Sequence, residues 1–360
     1  MSGLIIAFLT SFTITLLIIR FEHLHSHLSA DSDLSGPQKF HKVSVPRIGG
    51  LGLATGVTVA IIFRLTLIPG ATTEVMLLIC AIPTFAIGLT EDLTKKIGVK
   101  TRLLFTAISA YLVTALLNGS ITRLDIPGVD YLFTLPAIAT LFTVFAITGL
   151  ANAYNIIDGF NGLSSMVGII TLCALGYISF TFNDPLMMYL SFIMAGATLG
   201  FFIWNYPRGL IFLGDGGAYL LGFWIAAISV LLTSRHELIS PWFAVLINGY
   251  PILETLFTIY RRKIHQGKSP GQPDGIHFHS LIFRRILNTQ IVQSKHDFFS
   301  ANAKTAPYLW ILTSIVIIPA MMWPHSSSIL ITSMLTFIIC YVWLYKRIVT
   351  FKTPKWMHPH

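Results

Sequence analysis

The segment from Asn152 to Gly162 holds Asn152, Asn155, Asp158 and Asn161 between two apolar stretches, with no lysine or arginine beside them. Amide and carboxylate oxygens are hard ligands for a divalent cation. Amides also read a base edge, because each offers both donors and an acceptor. Asn155 and Asp158 are three apart and share a face if the segment is helical. A purely structural loop seldom gathers so many amides. Asp215 stands in Gly214-Asp215-Gly216-Gly217, where small neighbours expose the carboxylate and a helix N-terminus, a ready anion site, follows. Glu91 and Asp92 are adjacent carboxylates that repel and need a cation, which Mg²⁺, Lys95 or Lys96 would supply. Lys42 and Arg47 flank Pro46 ahead of Gly49, Gly50 and Gly52, a tight entry at which backbone approaches a ligand closely. Both cations suit phosphate. Farther on, His277 and His279 form an HxH pair followed by Arg284 and Arg285, a set suited to diphosphate or sugar. Zinc would need a third ligand, and none stands at metal spacing. Ordinary readings compete at each cluster except the asparagine-rich one: a topogenic basic flank, a solvated ion-paired loop, a lone exposed aspartate.

The elements that must position these residues are apolar. Of 360 residues, 54% are hydrophobic and 11% charged, with a mean hydropathy of +0.72. A soluble surface uses roughly 25% charged residues, and disorder needs low hydrophobicity. Both are excluded, and an all-α polytopic membrane protein remains. Spans of about 20 apolar residues are expected at Leu4–Ile19, Ile48–Ile68, Val75–Thr90, Leu103–Leu117, Thr134–Ala151, Leu163–Thr181, Leu186–Trp204, Gly216–Thr233, Trp242–Tyr260, Thr305–Trp323 and Ser327–Tyr345. These eleven form one transmembrane unit over residues 1–360, with a long loop at 261–304. Of 24 lysines and arginines, only Arg64, Arg123 and Arg235 fall on one side. The other side is then cytoplasmic by the positive-inside rule, with the N-terminus outside and the C-terminus inside. The first span lacks a cleavage site and reads as a retained helix. All the polar clusters fall on the basic side, at span ends. Positive loops meet anionic lipid, which explains much of the net charge of +9. No basic domain interleaved with aromatics is present, which argues against nucleic acid. Ile276, Leu281, Phe283, Ile286 and Leu287 are expected to form one face of an interfacial helix. His23, His25 and His27 read as an ordinary interfacial stretch, and Cys80, Cys173 and Cys340 as small buried hydrophobes.

In this order and on this frame, the clusters resemble those of the polyprenyl-phosphate N-acetylhexosamine-1-phosphate transferase superfamily, and the span count and HxH pair resemble its bacterial initiating branch. The resemblance covers about residues 1–345. It implies Mg²⁺ as cofactor, with Mn²⁺ a substitute, held by Asp215 and Asn155. It implies a catalytic set of Glu91, Asp92 and Asp215. Asn161 matches an asparagine that contacts uracil, with Asn152 and Asp158 in the same nucleotide loop. Lys42 and Lys95 match lysines near the phosphates, and His277 and His279 the first two histidines of an HxHH motif; Ser280 stands where the last would be. Glu91 replaces the first of the family's paired aspartates. The implied substrates are a UDP-N-acetylhexosamine, with GlcNAc the default, and undecaprenyl phosphate. The lipid phosphate would attack the β-phosphorus, release UMP and start an O-antigen or similar polysaccharide in the bacterial inner membrane. A homo-oligomer is compatible with this. A phosphate monoester is largely ionised at pH 7, so a base matters less than alignment and charge neutralisation, and one-step attack is favoured over a phospho-aspartate. The rival is a transporter or flippase. Transporters keep ionisable groups near the midplane on broken helices, whereas the expected spans are nearly charge-free, with Glu254 the main exception.

Overall fold

The computed structural model describes residues 2–29, 45–68, 70–267, 274–287, 295–354 and 357. Lys42 lies outside them. Helices carry the fold: α1 (Ser2–Arg20), α2 (Glu22–Ser29), α3 (Gly50–Leu67), α4 (Thr72–Thr94), α5 (Val99–Leu117), α6 (Pro136–Ile157), α7 (Leu163–Thr181), α8 (Pro185–Asn205), α9 (Gly214–Arg235), α10 (Pro241–Ile247), α11 (Gly249–Tyr260), α12 (Phe278–Ile282), α13 (Lys295–Met322) and α14 (Ser327–Val349). Ten are long and apolar enough to cross a membrane.

Helix α9 is the axis. It is apolar all round and buried along almost its whole length, with α4 and α6 its principal neighbours. Small residues set the packing. Gly3, Ala7, Ser11 and Thr15 recur every fourth residue down the buried face of α1. Ala7, Ser11 and Thr15 meet Gly200 of α8 and Gly52 and Gly56 of α3, whose missing side chains let the backbones approach. This is the usual device where lipid offers no hydrophobic drive between helices.

Five expectations change. The ninth span is two helices, α10 and α11, meeting at 78°. Pro251 in the first turn of α11 has no N–H with which to continue the α10 ladder, and Asn248 Nδ2 donates to Ala244 O at the break. Helix ends extend past the apolar cores, because the backbone ladder continues through polar residues. Glu91 and Asp92 are thus in the last turn of α4, Asn152 and Asn155 in the last turns of α6, and Asp215 in the first turn of α9. Helix α6 stops at Ile157, so Asp158 is its C-cap and leaves the face of Asn155. The expected interfacial helix is α12 with a following turn over Phe283–Leu287; Leu281, Phe283, Ile286 and Leu287 are buried in protein, because a face turned to a protein core and one turned to lipid have the same composition. Only Cys80 is buried; Cys173 and Cys340 are exposed on helix surfaces. Helix α2 carries the three histidines, and His25 Nε2 bonds to Ile18 O at 2.9 Å.

Candidate active site

The segment before α3 pairs with the segment before α9: Phe212 N donates to Pro46 O, Gly49 N to Phe212 O and Gly50 N to Leu213 O, at 2.9–3.0 Å. This places Arg47 beside the first turn of α9. The end of α4 closes on the same turn. Both oxygens of Asp92, 1% exposed, accept backbone N–H groups of α9, from Asp215 and Gly216, at 2.8 Å each. The anion on this helix N-terminus is therefore a protein carboxylate, not an open position for phosphate. Asp215 points to cations instead. Arg47 Nη2 lies 3.3 Å from Asp215 Oδ1 and 3.7 Å from Asp92 Oδ1, and Arg102 forms a close ion pair with Asp215 Oδ2. Asp158 joins the group electrostatically: burial pushes its carboxyl up to about 7, with the Arg47 guanidinium pulling down.

The asparagine-rich turn is clamped from three sides. Gly162, at φ +74°, donates its N–H to Asn205 Oδ1 at 2.6 Å, and its carbonyl accepts from Trp310 Nε1 at 3.1 Å. Asn161 N donates to Asn302 Oδ1 at 3.0 Å and Asn161 Nδ2 to Pro207 O at 3.1 Å. Asn161 Oδ1 is buried without a hydrogen-bond partner among the described residues. Asn152 Oδ1 accepts from Tyr219 Oη at 2.8 Å, and the Arg102 guanidinium lies 5.8 Å from the Tyr219 ring centre.

The HxH segment comes to the same turn from the other side. The His279 ring meets Phe160 at 5.5 Å, and a Cβ on Gly159 would sit 3.4 Å from His279 Nε2. Burial pushes the His279 imidazole down to about 3, against the raising influence of Glu254, so the ring is neutral near pH 7.

The donor set fits a hard cation completed by substrate. Among the described residues, no three His, Cys, Asp or Glu side chains converge as a cage. Mg²⁺ is held in such sites by one or two carboxylates plus waters and substrate phosphates. Asp215 supplies such a carboxylate, and two guanidinium groups beside it show that its charge demands cationic partners. No hydrogen bond joins Asn155 to Asp215 among the described residues.

The sequence model described as "Glycosyl transferase family 4" matches residues 74–233. That range includes Glu91, Asp92, the asparagine-rich turn and Asp215. The chain is 29% identical over 284 residues to a "Probable undecaprenyl-phosphate N-acetylglucosaminyl 1-phosphate transferase" of Bacillus subtilis, covering 78% of this chain and 77% of that one. It is 30% identical over 276 residues to a "Decaprenyl-phosphate N-acetylglucosaminephosphotransferase" of Mycolicibacterium smegmatis, covering 66% and 65%. It is 29% identical over 259 residues to a "Phospho-N-acetylmuramoyl-pentapeptide-transferase" of Listeria monocytogenes, covering 68% and 78%. Over residues 74–233 the chain is thus similar to glycosyl transferase family 4, and its relatives are polyprenyl-phosphate and pentapeptide transferases by name.

Of the candidate residues, Asp92 and Asp215 meet around Arg47, with Asp158 in electrostatic reach of that guanidinium; Asn152 bonds to Tyr219 beside Arg102, and Asn161 and His279 lie at the asparagine-rich turn. Others are turned elsewhere. Glu91 Oε2 accepts the Ile97 N–H at 2.6 Å, closing the α4–α5 loop, and Lys95 is the exposed left-handed C-cap of α4. Arg284 is exposed, and Arg285 donates to the carbonyls of Ile348 and Val349 at the end of α14. His277 is enclosed by protein groups. Arg102, Tyr219 and Asn205 were not legible as site residues. Arg102 reads as one more loop cation, and Tyr219 and Asn205 as span residues; only their place one or two turns from a polar cluster hints at the role.

Proposed function

We propose that this protein transfers an N-acetylhexosamine 1-phosphate from a UDP-sugar to undecaprenyl phosphate, releasing UMP, at the cytoplasmic ends of its helices. N-acetylglucosamine is the first candidate sugar, because the names of the Bacillus and Mycolicibacterium relatives specify it. The observation that carries the reading is the meeting of Arg47, Asp92 and Asp215, drawn from three separate clusters, at one end of the bundle, with Asp158 of a fourth cluster in electrostatic reach. A one-sided site at helix ends suits a lipid substrate whose phosphate sits at the membrane surface and a donor that arrives from water.

In this reading Arg47 and Arg102 neutralise phosphate charge on the donor and acceptor. Asp92 locks α4 to α9 and so fixes where Asp215 stands. Asp215, with Asn155 as its candidate companion, would hold Mg²⁺. When bound, that ion offsets charge on the diphosphate and the leaving UMP. The unpaired Asn161 Oδ1 supports the uracil role, since it needs an N–H donor. Glu91, turned to the Ile97 N–H, would have to leave that amide to accept a proton from the lipid phosphate, a minor demand near pH 7. The product would start an O-antigen or similar polysaccharide in the bacterial inner membrane. Purified protein given undecaprenyl phosphate and a panel of UDP-sugars, with and without Mg²⁺, should release UMP with at least one sugar. Silence across the panel would defeat the reading.

A further inference from the structure

Helix α11 carries a polar stripe at every fourth residue, Tyr250, Glu254 and Thr258, inside an otherwise apolar span. All three face the HxH segment. Glu254, 1% exposed, accepts the Phe278 N–H at 3.1 Å through Oε1, and the same oxygen lies 3.2 Å from His277 Nδ1. Its other oxygen accepts from Tyr341 Oη of α14 at 2.9 Å. Thr258 Oγ1 lies 3.1 Å from His277 Nδ1, and Tyr250 Oη 3.5 Å from His279 Nδ1. On its far side His277 Nε2 is 4.0 Å from Asp274, itself ion-paired to Arg261. A carboxylate accepts only, so His277 Nδ1 carries the proton it donates. Both His277 nitrogens thus face protein. Its ring stacks on His279 at 5.1 Å, and His279 presents Nε2 to the asparagine-rich turn at Gly159.

An ionisable side chain within a span is costly and is kept for a purpose. We propose that Glu254 is a positioning residue of the transfer reaction: through His277 and the Phe278 amide it holds the HxH segment on the asparagine-rich turn, so that His279 rather than His277 meets the sugar nucleotide. The inference rests on the transferase reading above. Helix α11 is tilted into this position by the bend at Asn248, and α14 braces it through Tyr341.

The test uses the full chain in nanodiscs, comparing wild type with Glu254→Gln, Tyr341→Phe and the double variant. Steady-state kinetics are taken separately against the UDP-sugar and against undecaprenyl phosphate, with thermal midpoints alongside. Losing a charge-assisted buried hydrogen bond should raise KM for the UDP-sugar about tenfold in Glu254→Gln. KM for the lipid and the thermal midpoint should hold. Tyr341→Phe should move the same constant by a smaller factor, and the double variant should do no more than Glu254→Gln alone, since both act through one carboxylate. Unmoved KM values, or a parallel rise in both with a lowered midpoint, would overturn the proposal while an active wild type keeps the transferase reading. A wild type that releases no UMP overturns both.

Discussion

Asp92 and Asp215 belong to one cluster of charge but are held by opposite means, and their variants should fail differently. Asp92 satisfies two buried amides of α9. Asp92→Ala strands both, at about 1–3 kcal/mol for each unsatisfied group. The thermal midpoint should therefore fall together with turnover; an unchanged midpoint would show that α9 does not depend on this carboxylate. Asp215 faces guanidinium groups instead. Asp215→Asn keeps its size and removes its charge, so it should abolish most Mg²⁺-dependent UMP release with little loss of stability. Near wild-type turnover at low Mg²⁺ would show that another group is the principal ligand. Asp158 supplies a pH signature. With its carboxyl pushed up to about 7 by burial, it is protonated below that pH and charged above it. If the charged form supports nucleotide or cation, kcat/KM rises as the pH climbs through about 7, and Asp158→Asn, locked neutral, gives a flat profile over the same range. An inflection that survives the substitution would assign it to another group.

At the scale of elements, the site exists because helices touch where side chains are absent. A Cβ on Gly88 of α4 would stand 2.6 Å from Gly216 Cα of α9, and one on Gly50 of α3 would stand 2.6 Å from Gly217 Cα. Gly88 is one turn below Asp92, so Gly88→Ala should push α4 off α9 and lift Asp92 from its amides. Overpacking of this kind costs about 1–3 kcal/mol, and the thermal midpoint and UMP release should fall together. Gly149→Ala on α6 is the matched control, because nothing lies within 4 Å of its added Cβ; a loss there equal to that at Gly88 would mean that helical glycine itself, not the close approach, is what matters. The spans were legible because their apolar cores are long and uninterrupted. Their ends were not, because hydropathy falls at Glu91 and Asn152 while the backbone ladder runs on. The bend at Asn248 was hidden for a related reason: Pro251 and Gly249 sit in a stretch whose hydropathy alone reads as one helix. Arg102 was lost among the loop cations, since nothing local marks which lysine or arginine turns inward.

Over the whole molecule, Arg47 and Asp215 meet although 168 residues separate them. Antiparallel helices place every second junction on the same side, so clusters spaced at those junctions converge without any domain to gather them. The sequence carried this convergence in its charge distribution: the clusters fall on the side rich in lysine and arginine. The same logic fixes a topological test. Lys95 ends α4 and Asn161 lies between α6 and α7, both at the Asp215 end. Asp125 lies at the other end, where it pairs with Arg123 and accepts from Ser327 Oγ. Lysine and arginine in short loops hold those loops in the cytoplasm, so reporter fusions after Lys95 and Asn161 should signal cytoplasm and a fusion after Asp125 the outside. The Asn161 fusion is the decisive one. A UDP-sugar is made and kept in the cytoplasm, so an outward-facing Asn161 would put the nucleotide turn, Asp92 and Asp215 on the side that no donor reaches. The proposed transfer could then not occur there, however well the residues fit.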